Sequence, residues 1–225
     1  MSTSSRDEGR YLYREGRYAA ALELYISEET DPAEDLELAY LMGLCHARLG
    51  EEQEAMRLLG QVVAHDTHLA RIYQARMLLA WLLAEDGEVE QAEHCLREVL
   101  QEGFESPQAW AALGYCQSLR GDNGAAVESY QHAVDLDQDN ANAVNGLGYL
   151  MAESGLDLDA AVGFCRKAQD SDPKNAAYLD SLGWALFLAG RPSEAVRHLT
   201  AALSLKPDNP IIKEHLEAVR THVQD

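Results

Sequence analysis

Three arginines, Arg6, Arg10 and Arg14, stand four residues apart near the start of the chain. On a helix that spacing puts them on one face. A row of guanidinium groups is suited to gripping carboxylates or a phosphate in paired hydrogen bonds. The competing expectation is self-neutralisation by Glu37 or by the acidic run at residues 28–35. Other reactive side chains are dispersed. Of the eight histidines, His65 and His68 are close, but no cysteine is near them, so they read as a solvated pair rather than metal ligands. The four cysteines, Cys45, Cys95, Cys116 and Cys165, show neither disulfide-framework nor zinc spacing and are expected to be buried thiols. The glycines form no phosphate-cradling loop. No catalytic residue, cofactor or metal is therefore expected, and an independent enzyme is the least favoured class.

The elements that carry these residues must come from a chain of 225 residues that is 47% hydrophobic and 25% charged, the balance of a folded protein. The formal net charge is -20. A polyanion repels nucleic-acid backbones and anionic lipid surfaces, so neither is expected as a partner. No apolar run approaches the roughly 18 residues needed to cross a bilayer, so no membrane insertion is expected. Residues 1–8 contain no apolar stretch of the signal-peptide kind. The expected compartment is the cytoplasm, or the periplasm if an export signal has been removed.

The chain also repeats itself. Read from Pro107, Trp110 falls at position 4, Leu113 and Gly114 at 7 and 8, Gly121 at 15, Ala126 at 20, Tyr130 at 24 and Ala133 at 27. Read from Ala176, the same positions hold Leu179, Leu182, Gly183, Gly190, Ala195, Leu199 and Ala202, with Pro207 at 32. Residues 141–175 give the same order with one extra residue near Leu156. Weaker copies occupy 2–35, 36–69 and 73–106. This pattern resembles the tetratricopeptide repeat, W-x2-L-G-x2-Y followed by A-x3-F and P. The resemblance covers nearly the whole chain.

It implies an all-α fold: one right-handed solenoid domain of six helix hairpins, at approximately 2–35, 36–69, 73–106, 107–140, 141–175 and 176–209, with a capping helix over 210–225. Small residues at positions 8, 20 and 27 let the paired helices approach. Glycine at 15 ends the first helix in a left-handed cap. Each hairpin leaves an apolar face for the next to cover. Ile212, Leu216, Val219 and Val223 recur at helical spacing and are expected to face the last repeat, with Lys213, Glu214, Glu217 and Arg220 turned elsewhere. Ala70-Arg71-Ile72 falls outside the frame, so the first helix of the third unit is expected to start early. Arg76 replaces the aromatic at position 4, and Thr67, Phe104 and Gln138 replace the proline at 32; different angles are expected at those joints.

The resemblance also implies that first helices line a concave groove. Position 9 is Arg10, Leu44, Trp81, Tyr115, Tyr149 and Trp184, an aromatic ladder over four units. Tyr40, Asn145 and Asp180 stand at position 5, and Phe187 at position 12. Arg6, Arg10 and Arg14 share the groove phase, and Arg48 extends them. Such a surface suits a peptide segment or a helix of a partner; the alternative is that the rings pack on neighbouring helices as core. The Lys, Asn and Arg positions with which some adaptors of this family grip a chaperone's terminal carboxylate are not matched in either frame. The expected function is a non-catalytic protein-binding scaffold. Blocks such as Asn145-Gly146-Leu147-Gly148-Tyr149-Leu150 look bacterial, of the kind serving envelope assembly, secretion or motility. The alternative is a structural solenoid that self-associates, as a homo-oligomer or as a subunit of a larger assembly, without a peptide ligand.

Overall fold

The computed structural model describes residues 5–28 and 30–224, with side chains to residue 222. Among the described residues there are thirteen α-helices and no strand. They fall into two compact units, Met1–Phe104 and Glu105–Asp225. The first holds α1 (Ser5–Arg14), α2 (Tyr18–Ile26), α3 (Leu36–Leu49), α4 (Glu52–His65), α5 (Leu69–Glu85) and α6 (Val89–Gln101). The second holds α7 (Pro107–Leu119), α8 (Asn123–Leu136), α9 (Ala141–Glu153), α10 (Leu158–Ser171), α11 (Ala176–Leu188), α12 (Pro192–Leu205) and α13 (Pro210–Gln224).

The expected hairpins and capping helix are therefore present. Local chemistry sets their ends. Asp35, Ser106, Asp122, Asn140, Asp157 and Asn175 each accept hydrogen bonds from first-turn amides of the helix they precede. The turns inside the hairpins need a left-handed residue; Gly121 and Gly190 supply it at φ of 77° and 72°. Helix α5 begins at Leu69, as the out-of-frame residues required. Its entry is fixed by Asp66, whose Oδ1 accepts from the amides of Thr67 at 2.7 Å and His68 at 2.9 Å while Arg71 pairs with the same carboxylate.

Packing follows the repeat positions. The alanines at position 20, Ala21, Ala55, Ala92, Ala126, Ala161 and Ala195, are all completely buried. Where Trp110 occupies position 4 it packs on the ring of His132 at 4.8 Å. Arg76, at the same place in the third repeat, is also buried and is neutralised by Glu102 at 2.6 Å. Burying a charge demands such a partner. In the second unit Ile212, Leu216 and Val219 of α13 are buried over the last hairpin, while Lys213, Glu214, Glu217 and Arg220 are exposed. The side chain of Val223, the fourth member of that stripe, lies outside the described residues.

Candidate protein-binding groove

In the second unit, α7, α9 and α11 are the first helices of successive hairpins, and α9 contacts both others. Between them and α13 lies a cavity of about 400 Å³. Its lining includes Tyr115 and Leu119 from α7, Asn145 and Tyr149 from α9, Asp180 from α11 and His215 from α13. Gly146, also on its lining, lets the ring of Tyr130 pack close against α9. A Cβ there would come within 2.3 Å of the Tyr130 ring, which forms part of the floor.

Two kinds of group meet in it. Tyr115 presents an apolar face at 42% exposure. Tyr149 is half-buried, and desolvation with the carboxylates of Glu153 and Asp180 pushes its hydroxyl up to about 12, so it remains a donor at neutral pH. The polar floor runs from Asn145, whose Nδ2 donates to Ser181 Oγ at 3.1 Å. Its Oδ1 is buried and accepts no hydrogen bond from the chain. Alongside, Tyr178 donates its hydroxyl to Asn142 at 2.5 Å, again from α11 to α9.

The wall opposite is made by His215, which the sequence had not marked. Its Nδ1 donates to the Asp180 carboxylate at 3.1 Å from each oxygen, with both residues buried. Its ring stacks on Trp184 with centroids 4.2 Å apart and planes at 13°. The Trp184 indole N–H in turn donates to Glu153. Trp184 is thus half-buried against the cap helix and is not among the residues that line the cavity. Phe187 lies 5.3 Å from Trp184 and lines a second hollow, beside Glu214, Glu217 and His222 of α13. A signal for His215 was available: it falls beside Ile212, Leu216 and Val219 on the buried stripe.

The remaining expected groove residues belong to the first unit. Trp81 is 50% exposed on α5. Tyr40 is half-buried and donates to Gln74 Oε1 at 2.7 Å. The arginine row is largely matched from within. Arg6 pairs with Glu28 at 2.8 Å, Asp35 at 2.6 Å and Glu37 at 3.4 Å, and Arg10 pairs with Glu37 and Asp7. Arg14 is exposed. Arg48 donates to the Tyr13 hydroxyl at 3.2 Å.

Among the described residues no group of three or more His, Cys, Asp or Glu is placed to hold a metal ion, and no helix is long and apolar enough to cross a membrane. Cys45, Cys116 and Cys165 are buried thiols outside any disulfide and Cys95 is half-buried; burial pushes Cys165 up to about 12.

Comparison with known proteins accords with this architecture. Family models described as TPR repeat or tetratricopeptide repeat match residues 6–67, 119–155 and 176–209. A TPR repeat-containing protein of Pseudomonas aeruginosa is 30% identical over 118 residues, 51% of this chain and 20% of the relative. The chain thus spans about a fifth of that protein's length. Among solved structures, the Cut9–Hcn1 hetero-tetramer of the APC/C superposes with a TM-score of 0.78 at 17% identity, over 96% of this chain and 42% of that one. YrrB, a TPR protein described as having an unusual peptide-binding site, superposes with a TM-score of 0.55 at 19% identity, over 86% of this chain and 96% of its own. At those identities the likeness is one of fold.

Proposed function

We propose that this chain, which belongs to the tetratricopeptide-repeat family, is a non-catalytic scaffold whose second unit holds a segment of a partner protein in the groove between α7, α9, α11 and α13. The observation that carries the reading is Asn145 Oδ1, a buried acceptor left without a donor on the floor of a cavity flanked by Tyr115 and Tyr149. A buried acceptor without a donor costs about 1–3 kcal/mol. A partner that parts the side chains over it and brings an N–H or O–H to it recovers that cost as binding energy. The exposed face of Tyr115 and the side chain of Leu119 then cover an apolar group of the same segment. Both the peptide-binding description of YrrB and the multiprotein assembly of Cut9 lie in the same direction. Trp81, on the first unit, is a separate exposed aromatic side chain of the kind that anchors partners.

The test is hydrogen exchange on the complex with a partner purified from the native cell. The reading expects slowed exchange in α9 and α11 around Asn145 and Ser181. Protection confined to the second helices α8, α10 and α12 would overturn it.

A further inference from the structure

In the first unit a cavity of about 650 Å³ opens between α4 and α6, the second helices of the second and third hairpins. Leu79 and Leu83 of α5 form its floor, with Met56 of α4 and Cys95 of α6 beside them. Trp81, two residues from each leucine, lies on the opposite side of α5 and is not part of the lining. Leu79 stands at repeat position 7. Its counterparts Leu113, Leu147 and Leu182 are buried, whereas Leu79 and Leu83 are only half-buried. The repeat with the open leucine is the one that carries the out-of-frame residues 70–72. A surface that the other hairpins close as core is here left open.

Charge and hydrogen bonding define what fits it. Residues 51–65 and 88–102, which carry α4 and α6, hold eight carboxylates against two arginines. Each arginine is matched within its own helix, Arg57 by Glu54 at 2.8 Å and Arg97 by Glu93 at 3.0 Å. Glu90 lies on the lining itself, and Glu51 and Glu88 stand exposed at the N-terminal ends of the two helices. The rim is therefore acidic around an apolar floor. Among the described residues, none of the buried side-chain atoms that lack a hydrogen-bond partner belongs to the lining. An occupant must then satisfy its own backbone, as a helix does. The lining of α6 runs from Glu90 to Cys95, about 7–8 Å along the axis, which is room for two side chains one helical turn apart.

We propose that this cavity is a docking groove for a basic amphipathic helix of a partner protein. Two large apolar residues of that helix, one turn apart, enter over Leu79 and Leu83 between Met56 and Cys95. Lysines or arginines beside them meet the carboxylates of α4 and α6. The site lies on second helices of the first unit and does not depend on the groove assigned to the second unit.

Three end-blocked helical peptides of about 16 residues test it by NMR titration of the full chain, following the Met56 methyl signal. One carries two leucines one turn apart flanked by lysines. The second has the same leucines flanked by glutamates, and the third has the lysines with glutamine in place of the leucines. The first should give saturable Met56 shifts that weaken as salt rises, and the other two none. Met151, in the second unit, should not respond. Leu83→Ala should weaken binding of the first peptide about tenfold. Glu90→Gln, an exposed change that spares the core, should weaken it less and flatten its salt dependence. No shifts with the first peptide, equal affinity for any two of the peptides, or unchanged affinity in both variants would overturn the proposal. So would equal shifts at Met151, or a Met56 signal that moves with protein concentration alone, since the groove would then be filled by a second copy of the chain.

Discussion

Replacing His215 with alanine should loosen the capping helix at a cost of about 3 kcal/mol. The magnitude follows from what the imidazole touches. It donates to both oxygens of a buried Asp180 at 3.1 Å and stacks on Trp184 at 4.2 Å. Breaking a buried pair by removing one partner costs about 3–5 kcal/mol, because the remaining charge is left without compensation. The stacked ring adds about 0.5–1.5 kcal/mol. Water entering the adjacent cavity can reach Asp180 and offsets part of the sum. The assay is thermal and urea unfolding of the wild type, His215→Ala, Asp180→Asn and the double variant. For a cooperative unit of this size the single substitution should lower the melting temperature by roughly 10 °C. Hydrogen exchange in α13 should accelerate more than in α9. The cycle should give a coupling above about 1 kcal/mol. Additive effects, or a His215→Ala variant as stable as the wild type, would refute the claim that this pair fastens α13 to α11.

Other substitutions test other links. Tyr25→Phe removes a buried hydroxyl that has no partner, so it should leave stability unchanged or raise it by up to about 1 kcal/mol in urea unfolding; a clear loss would mean that the hydroxyl is bonded. Asp66 is held at about 2, below the carboxylate value of 3.8, first by Arg71 and then by the amides of His68 and Thr67. Its folded pKa is depressed, so its contribution of about 1–2 kcal/mol is present above pH 4 and lost as pH falls toward 2. The stability gap between wild type and Asp66→Asn should therefore close across that window; a gap that stays constant would contradict it. Gly146→Ala places a methyl group against the Tyr130 ring and should cost about 2 kcal/mol by thermal unfolding, whereas a neutral result would mean that the ring is free to move aside.

The hairpins were legible because their determinants are local and repeat. Glycine at the turn, alanine at position 20 and an N-cap residue before many of the helices each act within a few residues. The early start of α5 was legible for the same reason, since three residues out of frame had to lengthen something. The shared repeat position of the rings was legible, but their exposure was not. Tyr115 and Trp81 are open, whereas Trp184, at the same repeat position, is stacked under His215. The ring that covers it comes from 31 positions further along the chain, beyond the reach of any local pattern. The arginine row shows the same limit. Its helical face could be read from the four-residue spacing, but Arg6 is held by Glu28, Asp35 and Glu37, 22 to 31 residues away. Only folding brings those carboxylates together.

The central claim is that the second unit receives its partner through the groove around Asn145 and Tyr115. The direct measurement is the affinity of a purified native partner for the wild type, Tyr115→Ala, Asn145→Ala and Glu128→Ala, the last on α8 and outside the groove. Tyr115→Ala should weaken binding by about 2 kcal/mol, roughly 30-fold and mainly through the off-rate. Asn145→Ala should weaken it by about 1 kcal/mol or more, and Glu128→Ala should bind as the wild type does. Unchanged affinity in Tyr115→Ala and Asn145→Ala, with binding abolished by Glu128→Ala, would contradict the account.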